Sequence, residues 1–81
     1  MHVTIRLFAR LRELAGASEL DRDVPEGSAA SDIWRTLAGE FPALKDYTGA
    51  ISVAINEDYA RMSAAVRDGD EVAFLPPVSG G

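Results

Sequence analysis

The sequence predicts an α+β fold: a mixed sheet of four to five strands with one main helix packed on one face. Three observations predict it. Apolar residues alternate with period two near the start of the chain and form a short strand-like run near its end, a single apolar stripe of helical period lies between them, and turn-forming residues separate the segments.

The first segment, "HVTIRLFA", places Val3, Ile5 and Leu7 on one face and Thr4, Arg6 and Phe8 on the other, the pattern of a half-buried strand. Phe8 therefore points away from the core face. "RLRELAGAS" ends in Gly16 and reads as a tight turn or a single helical turn. "ELDRDVP" follows as a weaker strand, with Leu20, Arg22 and Val24 on one face and Glu19, Asp21 and Asp23 on the other, completing an N-terminal hairpin.

The strongest helix lies in "EGSAASDIWRTLAGEFPAL", where Ile33, Leu37 and Phe41 recur at four-residue spacing with Trp34 and Ala38 beside them. Ser28 is the expected N-cap and Ser31 the alternative, with Asp32 near the positive end of the helix dipole. Pro42 ends the helix. "AISVAINED" supplies a strand through Ile51, Val53 and Ile55 and closes in a polar turn at Asn56 to Asp58. After an irregular section around Met62 to Val66, "DGDEVAFL" supplies the last strand, entered through a turn on Asp68, Gly69 and Asp70. A helix crossing over from the first hairpin lays the first and last strands side by side and parallel, which is the ubiquitin-like β-grasp arrangement.

Composition narrows the chemistry. The chain of 81 residues is large enough for one core and leaves little room for a buried active site. It has no cysteine and one histidine, which excludes disulfides, thiolate metal sites and cysteine nucleophiles. A formal net charge of −5 argues against a nucleic-acid partner, because phosphate neutralisation needs a basic patch. No apolar run has the length of a membrane span, and Met1 leads into an alternating strand, so a cytoplasmic protein without a membrane partner is expected. His2 reads as a surface residue at the strand start. Asp68, Asp70 and Glu71 lack the spacing of an EF-hand loop and read as a turn, so no metal site is expected.

The chain closes on "EVAFLPPVSGG". Pro76 and Pro77 cannot donate to a sheet ladder and stop the last strand at Leu75, giving a folded domain over 1–75 and a flexible tail over 76–81. The prolines bias the tail base toward polyproline II. Gly80 and Gly81, without Cβ atoms, suit passage through a narrow channel. From Leu75 the tail reaches at most roughly 20 Å at about 3.3 Å per residue.

The closing pattern "DGDEVAFLPPVSGG", together with "LFARLRELAG" near the start, resembles the small, sulfur-carrying subunits of molybdopterin synthase, and the likeness runs the length of the chain. The resemblance implies a carrier rather than a catalyst. It implies that Gly81 is adenylated by a ubiquitin-activating-like enzyme at the expense of ATP and converted to a thiocarboxylate by way of a sulfur donor protein. Pro76, Pro77, Val78, Ser79 and Gly80 would then thread that terminus into the large subunit, where the sulfur builds the dithiolene of molybdopterin. A heterotetramer of two small and two large subunits is the family pattern, and no cofactor is implied to be bound. Phe8 and Leu75 become the expected docking residues, with Arg12 as a further anchor through a partner carboxylate. The absence of cysteine fits, since a side-chain persulfide carrier would need a thiol. Sulfur carriers for thiamine or cysteine synthesis, and ubiquitin-like modifiers that form isopeptide bonds, share the activated glycine and stand as alternatives.

Overall fold

The computed structural model describes residues 1–77. Strand β1 (His2–Leu7) runs into a short helix α1 (Ala9–Ala15), then β2 (Glu19–Asp23), the main helix α2 (Ala30–Glu40), a 3₁₀ helix (Pro42–Tyr47), and strands β3 (Ser52–Ile55), β4 (Asp58–Ala60) and β5 (Glu71–Leu75). The five strands form one sheet in the order β2-β1-β5-β3-β4. β1 and β5 are parallel, with Ile5 opposite Val72 and Leu7 opposite Phe74, and the other neighbours are antiparallel. This is the expected β-grasp with its full complement of five strands.

The core forms where the alternating faces of β1, β5 and β3 meet the stripe on α2. Val3, Ile5, Leu7, Val72 and Phe74 from the sheet pack with Ile33, Trp34 and Leu37, all at most 2% exposed. Trp34 and Phe74 meet at 5.2 Å between ring centroids in a tilted arrangement. The indole N–H donates to Thr48 Oγ1 at 3.1 Å, so the aromatic body is buried without leaving its polar atom unpaired. No buried side-chain polar atom lacks a partner among the described residues.

Three local readings are corrected. The segment after Phe8 is a helix of seven residues rather than a tight turn or single helical turn, closed by Gly16 at φ 73°. Strand β4 was not separately expected; it pairs with β3 through a two-residue turn in which Asn56 and Glu57 both have positive φ, the geometry that matches the twist of a hairpin. The N-cap of α2 is Ala29, not Ser28 or Ser31. The Ser28 hydroxyl instead donates to the Pro25 carbonyl at 2.7 Å. The N–H groups of Ala30 and Ser31 are taken by the carbonyls of Ala64 and Met62, and the Asp32 carboxylate accepts from the Ala29 N–H at 2.9 Å. The irregular section thus does the capping that a serine was expected to do.

Candidate functional site

The strands that bury Val3, Ile5 and Leu7 inward must present Thr4 and Arg6 outward, because successive side chains alternate across a sheet. Register extends this outer face over four strands. Arg6 lies opposite Ala73, Ala73 opposite Ala54, and Ala54 opposite Tyr59, a row spanning β1, β5, β3 and β4. With neighbouring strands about 4.8 Å apart, the row is about 14 Å wide between its end residues. Its middle is a floor of two alanines, and its far wall is Tyr59, 78% exposed. An exposed tyrosine combines large contact area with a polar tip, the composition of an interface anchor.

Two residues further along the strands, on the same face, Phe8, 38% exposed, follows Leu7 as the chain leaves β1, and Leu75, opposite Ser52, is half-buried at the end of β5. Phe8 has extended backbone, and Ala9 directly after it has φ 51°, a left-handed turn that folds the chain into α1 and leaves the phenyl ring outside the core. The two residues named from sequence as docking candidates therefore sit next to one another at the end of the sheet from which the tail departs. Arg12, the third, is carried by α1 rather than by the sheet; it is exposed and makes no ion pair among the described residues. Pro76 and Pro77 follow β5 outside regular structure. Val78, Ser79, Gly80 and Gly81 lie outside the described residues.

Tyr59 was not singled out from the sequence. The signal was present in weak form: an aromatic two residues after a polar turn is a strand position, but "EDYA" has no apolar alternation to mark it.

The opposite end of the sheet is acidic and bound up in turns. Asp70 accepts from the Asn56 amide at 2.9 Å and from the Arg67 backbone N–H at 2.8 Å. These bonds, the Asn56 one first, hold its carboxyl below the ordinary carboxylate range. His2 donates its backbone N–H to Asp68, and its ring lies 3.7 Å from Asp21. Among the described residues no group of His, Asp and Glu side chains could hold a metal ion. The hollow beside α2 lined by Trp34, Ala38, Lys45, Thr48 and Met62 has no carboxylate in its wall to pair a base with an acid.

A five-stranded β-grasp sheet whose outer face is smooth, small-floored and walled by aromatics, continuous with a proline-led segment beyond its central strand, defines the ubiquitin-like class. Within that class the chain belongs to the ThiS family, whose model matches residues 5–81. Among curated proteins it is 38% identical over 81 residues to the molybdopterin synthase sulfur carrier subunit of Arabidopsis thaliana, covering 100% of this chain and 84% of that one. It is 35% identical over 83 residues to the protein of the same name from Chlamydomonas reinhardtii, covering 100% of both. Among solved structures it is similar to SAMP1 of Haloferax volcanii, with a TM-score of 0.84 at 34% identity and 100% of both chains covered.

Proposed function

We propose that the protein is the sulfur carrier subunit of molybdopterin synthase. The observation that carries this reading is the end-to-end similarity to proteins of that name, on a fold whose central strand leads directly into "PPVSGG". The carboxylate of Gly81 is ionised at neutral pH and is a poor electrophile. An adenylating enzyme joins it to AMP from ATP with release of pyrophosphate, and a sulfur donor then displaces AMP to leave a thiocarboxylate. The large subunit receives residues 76–81 and takes the sulfur for the dithiolene. Phe8, Leu75 and Tyr59, with the alanine floor between them, supply the apolar docking surface, and Arg12 stands at its margin. The acid and base groups of the transfer belong to the partner. The work is cytoplasmic, with neither nucleic acid nor membrane involved.

A second reading is favoured by one observation: a relative of comparable similarity is named as a small archaeal modifier protein. The same adenylated glycine would then form isopeptide bonds to lysines. One assay separates the two. The protein is incubated with the adenylating enzyme of its own source, ATP and sulfide, treated with a thiol-selective alkylating reagent, and weighed intact. Because the chain has no cysteine, a label that is lost on deleting Gly81 marks a terminal thiocarboxylate. Absence of label, with the enzyme active on another carrier, overturns the carrier reading; a ladder of lysine conjugates in cell extract supports the modifier.

A further inference from the structure

The outer face carries a cation where an apolar docking surface has little use for one. Arg6 is the last residue but one of β1, its side chain 45% exposed, and its guanidinium carbon stands 5.4 Å from the centroid of the Phe8 ring. That is within the range of a cation–π contact, and the planar guanidinium can stack as well as attract. On its other side, Arg6 Nη1 is 3.7 Å from Glu71 Oε1, an ion pair rather than a hydrogen bond. Glu71 is itself held at the backbone: its N–H donates to Asn56 Oδ1 at 2.9 Å and its carbonyl accepts from the Asn56 N–H at 2.8 Å. A chain of contacts thus runs from the rigid β3–β4 turn through Glu71 and Arg6 to Phe8.

We propose that Arg6 is a positioning residue for docking: it fixes the Phe8 ring in its outward orientation before the partner arrives. The inference rests on Phe8 being part of the docking surface. Phe8 has left the ladder, since the last register pair of β1 with β5 is Leu7 with Phe74, and the chain turns away at Ala9. Among the described residues Phe8 belongs neither to the core cluster nor to the hydrophobic residues packed against it, and the Arg6 guanidinium over its ring restrains the ring's torsions. An anchor that must be ordered on binding loses affinity, and one ordered beforehand does not.

The test is a double-mutant cycle on the full-length protein, with affinity for the molybdopterin synthase large subunit of the same organism read by calorimetry. Arg6→Leu is expected to lower affinity about three- to tenfold, Arg6→Lys to lower it less, and Arg6→Leu to add nothing once Phe8→Leu is present. In the free protein the side-chain protons of Arg6 are expected to carry a ring-current shift in the NMR spectrum that vanishes in Phe8→Leu. Thermal unfolding of each variant shows that the fold is kept. An Arg6→Leu loss of equal size in both Phe8 backgrounds means direct contact with the partner and overturns the positioning role; so does unchanged affinity in a folded Arg6→Leu protein. Unchanged affinity in Phe8→Leu alone removes Phe8 from the docking surface and the inference with it, while the alkylation assay on Gly81 still decides the carrier reading independently.

Discussion

On one side of the sheet Val3, Ile5, Leu7, Val72 and Phe74 are at most 2% exposed; on the other, the same strands offer Thr4, Arg6, Glu71 and Ala73, and only the alanine is buried. The inner face is filled with branched and aromatic side chains that interlock with α2, while the outer face is kept flat by small residues with larger ones at its borders. Interlocking gives stability and tolerates little change. A flat face with aromatic borders contributes little to folding and is free to be shaped for a partner. The comparison teaches that in so small a domain stability and recognition are separated by the pleat of the strand, one residue apart in sequence.

Phe74→Ala should break the inner face with the largest effect, about 3–5 kcal/mol, because it removes the ring beneath Trp34 and leaves a cavity. Against the marginal stability of a domain of this size, urea denaturation should find it largely unfolded. Tyr59→Ala on the outer face should leave the urea midpoint nearly unchanged and weaken large-subunit binding by about 1–2 kcal/mol, measured by calorimetry. If Tyr59→Ala destabilises the fold instead, the division between the faces fails. Glu57→Gly sharpens the comparison from the hairpin that presents Tyr59. Since Glu57 sits at φ 72°, glycine should raise stability by about 1 kcal/mol, seen in the unfolding midpoint.

The smallest effect concerns pH. The Asp70 carboxyl titrates below its unfolded value, so its contribution is present above about pH 4 and is lost as pH falls through the lower folded value. Carbon-detected NMR titration should place Asp70 below the ordinary aspartate range, and Asn56→Ala should raise it again. Equal values in both proteins would mean that the Asn56 amide does not hold the turn.

What could be read from sequence follows the strength of each periodic signal. β1 alternates cleanly, β5 is a short apolar run bounded by a turn and two prolines, and α2 carries a full apolar stripe, so their identity and the parallel pairing of first and last strands were legible. β4 has three residues, Asp58, Tyr59 and Ala60, too few for alternation to stand out, and Tyr59 went unnoticed with it. The cap of α2 was misread because its donors are met by Met62 and Ala64, more than thirty residues further on, a long-range arrangement that local capping rules do not anticipate. Phe8 and Leu75 were placed by alternation together with the family resemblance. The alanine floor was not, since Ala54 and Ala73 acquire their meaning only when the register sets them side by side.

The strand order has a consequence for synthesis. β5 is last along the chain and central in the sheet, flanked by β1 and β3. A nascent chain that stops short of Glu71 holds the helices and two hairpins, β1–β2 and β3–β4, but not the strand that joins the hairpins into one sheet, and two-stranded hairpins are marginal in water. Closure waits for the segment from which the carrier tail departs. Protein truncated before Glu71 should be left open to proteolysis, because a copy without its last strand is also one that cannot complete the sheet.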